Sequence, residues 1–87
     1  MQEVRQAVKT FIADNFLFGQ APNFSDDDSF LENGLIDSMG ILALVEFVTQ
    51  SYGITVADEE ILPENWDSVN RIAQFVKQKL AVQAAAN

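Results

Sequence analysis

In the stretch "ENGLIDSMGILALVEFV", residues 32 to 48, a small hydroxyl, Ser38, follows an acid, Asp37, and precedes a run that is apolar almost to its end. Two chemistries suit this pattern. Aspartate and serine both cap helices, because a side-chain oxygen accepts one of the first-turn N–H groups that lack an intrahelical partner, and either residue can do so here. The other chemistry is covalent. A phosphate ester on Ser38 would place its charge at the positive end of the helix, beside free amides. The base or metal that deprotonates the hydroxyl would then belong to a partner enzyme, because the chain has no histidine and no cysteine. Neither a Ser-His-Asp arrangement nor a thiolate or histidine metal site can be assembled within it.

Eighty-seven residues fit one small domain. A domain of that size buries only roughly 60% of its unfolded-chain surface, which suits a helical core and argues against a deep substrate cavity. The net charge of −8 comes from 13 acidic and 5 basic residues, and 12 of the acids lie between Lys9 and Arg71 with no basic residue among them. This middle section repels nucleic-acid phosphates and anionic lipids and attracts basic protein surfaces over about 10 Å. It also repels an unaccompanied phosphodonor, which favours a basic or metal-bearing partner. No signal-peptide pattern opens the chain, and no apolar run approaches the roughly 20 residues of a membrane helix. With no cysteine, the expectation is a cytoplasmic protein that meets other proteins rather than nucleic acid or membrane.

The elements that position Ser38 follow from apolar spacing. Val4, Val8, Phe11 and Ile12, with Phe16 or Leu17, predict an amphipathic helix over residues 3 to 17. Gly19, Pro22 and "NFSDDDSF" predict a long loop around residues 18 to 36, anchored by Phe24, Phe30 and Leu31. From Ser38 the positions Ile41, Leu44, Val45, Val48 and Tyr52 predict a second helix stopped by Gly53. "ITV" has no evident partner strand and reads as an extended plug between helices. "DEEIL" ahead of Pro63 suits a short helical turn or two beginning near Asp58. Asp67 or Ser68 caps a last helix carrying Val69, Ile72, Ala73, Val76 and Leu80. The expected fold class is all-α: a small four-helix bundle of three main helices and a short one before the last. It occupies residues 1–80, with 81–87 a helical extension or frayed tail.

"GLIDSMG" at residues 34 to 40 and "YGITVADEEILPENWDSVNRIAQFV" at residues 52 to 76 together resemble the acyl and peptidyl carrier proteins. The likeness spans roughly residues 4 to 80, and "DS" alone carries little of it. It implies that Ser38 is the attachment residue for 4'-phosphopantetheine, transferred from coenzyme A by a separate phosphopantetheinyl transferase. The arm's thiol would then hold an acyl or aminoacyl group as a thioester, so reactive sulfur arrives on the prosthetic group and the polypeptide needs none. Asp37 would help present Ser38, through a metal bound only during modification, with no permanent metal. The carrier would not itself be an enzyme. An acyl- or amino-acid-activating ligase would load it, and an acyltransferase, ketosynthase, condensation or tailoring enzyme would receive its cargo.

Met39, Leu42 and Glu46 share a helical side and form a candidate recognition face, with core packing as the competing reading for the two apolar residues. Ile61 faces either the core or a mobile acyl group. Phe47 and Trp66 are large enough for core or interface packing. Gly40 departs from fatty-acid carriers, which usually have an acid there, so an apolar partner contact and a discrete carrier of polyketide, nonribosomal-peptide or related metabolism are favoured over fatty-acid synthesis. Gly40 permits close partner approach or merely belongs to the first turn. The acids Asp58, Glu59, Glu60 and Glu64 supplement recognition or simply begin the short helix. The rival readings are an unmodified acidic interaction module and a calcium protein, although "SDDDSFLENG" lacks full EF-hand spacing.

Overall fold

The computed structural model describes residues 2–17 and 24–86, with side chains as far as Gln83. Apolar residues at helical intervals create its three main helices. α1 (Gln2–Phe16) buries Val4, Val8, Ile12 and Ala13. α2 (Ser38–Tyr52) buries Gly40, Ile41, Leu44, Val45 and Val48. It ends where Gly53 adopts φ 65°, a left-handed conformation that glycine enters without a Cβ clash, and returns its N–H to the Thr49 carbonyl at 3.0 Å. α3 (Pro63–Trp66) is a single turn, and α4 (Val69–Ala86) buries Val69, Ile72, Ala73, Phe75 and Val76. α1 packs on both α2 and α4, and α3 packs on α4. The chain is thus an all-α bundle with three main helices and a short third one, and the described residues contain no strand.

Two local readings need correction. "DEE" forms only a 3₁₀ turn, Asp58–Glu60, and the α-helical turn comes after it, at Pro63–Trp66. The sequence places the helical turn ahead of Pro63, whereas Pro63 opens it. At the first helical position its missing N–H is one that would have no intrahelical partner anyway. Of the three loop anchors, Phe30 is fully buried and Phe24 meets it edge-on at 6.0 Å, but Leu31 is exposed. Gly19 and Pro22 lie outside the described residues. The "ITV" segment is an extended plug, with Ile54 buried and Val56 packed at the edge of the core. Residues 81–86 continue α4.

Gly40 is buried, and its role is internal. A Cβ there would collide with the Ile36 Cγ2 methyl and crowd the Phe16 ring, so the absent side chain lets the incoming loop and the end of α1 close over the first turn of α2. Gly40→Ala gains up to about 1 kcal/mol of helix propensity. Overpacking against the β-branched Ile36 costs about 1–3 kcal/mol. The expected result is a lower denaturant midpoint with unchanged slope. A midpoint raised by the substitution would refute the packing role.

Candidate functional site

Asp37 settles which residue caps α2. Its backbone is extended (φ −93°, ψ −175°), and its Oδ1 accepts the Gly40 N–H at 2.9 Å. Its carbonyl accepts the Ile41 N–H at 3.0 Å. Ser38 is therefore the first helical residue and is free of capping duty. Its side chain is exposed, and neither its hydroxyl nor the amides of Ser38 and Met39 form a hydrogen bond among the described residues. A hydroxyl and two N–H donors, all without partners among the described residues, thus stand together at the positive end of a helix of 15 residues.

A cleft of about 240 Å³ opens beside Ser38. Ile41 and Leu42 of α2 line one side, Ile61, Leu62 and Trp66 the other, and Leu31 and Asp67 also border it. The wall containing Ile61 is fastened from behind. Trp66 Nε1 and Asn65 Nδ2 donate to the Glu60 carbonyl at 3.1 and 3.0 Å, and the buried Trp66 ring lies 5.3 Å from Phe75. The Glu60 carboxylate accepts from Lys79 Nζ at 2.6 Å and from the Ala57 N–H at 3.0 Å.

Of the sequence-proposed recognition residues, Met39 is 73% exposed and Leu42 49%, so the core-packing alternative fails for both. Glu46 is exposed on the same helix, and the half-buried Ile61 lines the cleft. The exposed Leu31, expected as a core anchor, and Leu62, which the sequence does not single out, join this apolar surface. Trp66 is core; Phe47 is half-buried and stacks on Phe11 at 4.4 Å. Those two rings lie in a broader depression of about 700 Å³ on the outer side of α1. Nine residues separate Phe47 from Ser38, two and a half helical turns, which places it on the opposite side of α2.

The acidic loop is committed to the scaffold. Asp26 pairs with Lys9 at 2.5 Å, Asp27 accepts from Asn70 Nδ2 at 2.6 Å, and Asp28 accepts from the Ser25 N–H and hydroxyl at 2.9 and 3.0 Å. Among the described residues no group of three acids is arranged to hold a metal ion. No helix there is long and apolar enough to cross a membrane.

Of the two caps that the sequence offers α4, Asp67 and Ser68, only Ser68 serves. Ser68 caps α4, accepting the Arg71 N–H at 3.1 Å. The buried Asp67 carboxylate instead accepts from the Ser29 hydroxyl and, at 2.9 Å, from the Leu31 N–H. In the adjacent pair "DS" only one side chain is needed as a cap, which leaves the other for a tertiary bond.

No family model matches this chain. Over 63 residues, 72% of this chain and 81% of the relative, it is 29% identical to a D-alanyl carrier protein of Leuconostoc mesenteroides subsp. mesenteroides. The chain is similar to a carrier protein. That similarity accompanies a helical bundle in which the hydroxyl at the start of α2 is exposed and has no hydrogen-bond partner among the described residues.

The Lys79 bond lowers the pKa of Glu60 below the ordinary glutamate value, with the Ala57 N–H acting in the same direction. A carboxyl whose folded pKa is depressed contributes stability above its unfolded pKa and loses it as pH falls through the folded one. Acidification below the usual carboxylate range should therefore release the 57–60 turn and loosen the cleft wall. Lys79→Gln should move the Glu60 titration upward, read by carboxyl NMR. An unmoved titration would show that the ammonium does not hold it.

Proposed function

We propose that this protein is an acyl or aminoacyl carrier whose Ser38 bears 4'-phosphopantetheine. One observation carries the reading: Asp37 caps α2 and leaves the adjacent hydroxyl exposed, without a hydrogen-bond partner among the described residues. The similarity to a D-alanyl carrier protein supports the same reading.

The residues present fit the group. The free amides of Ser38 and Met39 suit a phosphodiester, and the apolar cleft beside Ser38 suits the methyl-bearing part of the arm nearest the attachment. In the attachment step the Ser38 oxygen bonds to phosphorus while its proton passes to a base of the phosphopantetheinyl transferase, and the adenosine bisphosphate half of coenzyme A leaves. Asp37 Oδ1 keeps the first turn of α2 formed throughout. Its Oδ2 makes no hydrogen bond among the described residues and is available to the transferase or its metal. The arm supplies the thiol on which cargo travels as a thioester.

The exposed Met39, Leu42, Leu31 and Leu62 form an apolar docking surface, and Glu46 is a single acid on the side of α2 that contributes to it. That composition suits an activating ligase and downstream acyltransferase, condensation or tailoring partners in specialised metabolism, more than charge-steered partners. The carrier acts in the cytoplasm and performs no chemistry on its cargo. Incubation with coenzyme A and a phosphopantetheinyl transferase should raise the intact mass by one phosphopantetheine group. A chain that stays unmodified under conditions that convert a known carrier would leave the acidic interaction module as the reading.

A further inference from the structure

Asp67 reaches three consecutive residues of the loop that leads into α2. Its Oδ2 accepts from the Ser29 hydroxyl, its backbone carbonyl from the Phe30 N–H at 2.9 Å, and its Oδ1 from the Leu31 N–H at 2.9 Å. Ser29 Oγ in turn accepts the Glu32 N–H at 3.0 Å. Phe30, fully buried, passes the constraint onward: its carbonyl accepts the N–H groups of Leu35 and Ile36 at 2.9 and 3.4 Å. Asp37 and Ser38 follow directly. Asp67 also borders the Ser38 cleft, so the same side chain holds the approach to the hydroxyl and part of its surroundings.

We propose that Asp67 is a positioning residue for modification of Ser38, acting through the Ser29–Leu31 loop to hold the start of α2 in the form a transferase recognises. The proposal rests on the carrier reading only for its kinetic consequence; the loop constraint stands without it. Hydrogen bonds to a charged acceptor are stronger than neutral ones, and losing this acceptor strands the Leu31 amide. If only a fraction of molecules then presents the competent loop, apparent affinity falls by that fraction while turnover of bound molecules is unchanged.

The test compares wild type, Asp67→Ala, Asp67→Asn and Ser29→Ala in two assays. In amide hydrogen exchange, Asp67→Ala should speed exchange at Leu31, Leu35 and Ile36 by about tenfold or more, the lower end for a charge-assisted bond. Protection in α1 and α4 should persist. Asp67→Asn retains an acceptor for Leu31 and can donate to Ser29 Oγ, so it should recover most of the protection. Ser29→Ala, a milder change, should show the same local pattern and carries the test if Asp67→Ala does not fold. In phosphopantetheinyl transfer, KM for the carrier should rise several-fold in Asp67→Ala with kcat unchanged, and Asp67→Asn should restore it. Unchanged exchange at residues 31–36, or loss of protection spread evenly over the bundle, would overturn the positioning role. Local exchange changes in a protein whose wild type takes no phosphopantetheine would instead overturn the carrier reading and keep the loop constraint.

Discussion

Trp66→Ala should destabilise the bundle by about 3–5 kcal/mol, the usual cost of truncating a large core aromatic. Several contributions converge on that residue. Its side chain is 0% exposed, its ring packs against Phe75, and its indole N–H satisfies the Glu60 carbonyl at the end of the 3₁₀ turn. Truncation leaves a cavity in the core and removes one of the two side-chain donors to that carbonyl. Domains of this kind have total stabilities of about 5–15 kcal/mol, so the alanine variant lies near the folding threshold. Trp66→Phe, which keeps most of the apolar volume but not the N–H, should lose less and remain measurable. Denaturant unfolding checks both. An alanine variant within about 1 kcal/mol of wild type would mean that α3 is not part of the cooperative core.

The second large effect is on chemistry and should leave stability almost unmoved. Ser38→Ala removes an exposed hydroxyl with no hydrogen-bond partner among the described residues, so its unfolding free energy should stay within about 0.5 kcal/mol of wild type. Attachment of phosphopantetheine should nevertheless disappear. Asp37→Ala should differ in stability, costing about 1 kcal/mol through loss of the cap at Gly40. The contrast separates two adjacent residues that are equally good caps by type. A Ser38→Ala variant as destabilised as Asp37→Ala would assign the cap to both.

The three long helices were legible because a 3.6-residue apolar period needs no tertiary information. Ser38 to Tyr52 was recovered to the residue, with Gly53 as its stop. The identity of the cap was not legible. "DS" at 37 and 38 offers two acceptors, and only backbone direction decides that Asp37 turns back onto Gly40. Asp67 illustrates the same ambiguity with a larger consequence, because a carboxylate that resembles a local cap can be claimed by a loop 36 residues away in sequence. Gly40 was misread in part for a similar reason. Its close neighbours, Ile36 and Phe16, come from the incoming loop and another helix, and sequence spacing along α2 carries no sign of them.

The Ser38 cleft was also beyond the sequence. Ile61, for which the sequence leaves core and cargo open, packs at the core edge and lines the cleft, whereas Leu31, expected in the core, lines the cleft as well. The reason is geometric: the wall follows from the 3₁₀ turn and α3, two short elements whose apolar residues show no sustained period.

Tandem mass spectrometry of the peptide containing residues 32 to 48, after treatment with coenzyme A and a phosphopantetheinyl transferase, tests the central assignment most directly. The fragment series should place one phosphopantetheine on Ser38, with Ser25, Ser29, Ser51 and Ser68 unmodified. An adduct on any of those four serines, or none on Ser38 while a known carrier is fully converted alongside, would contradict it.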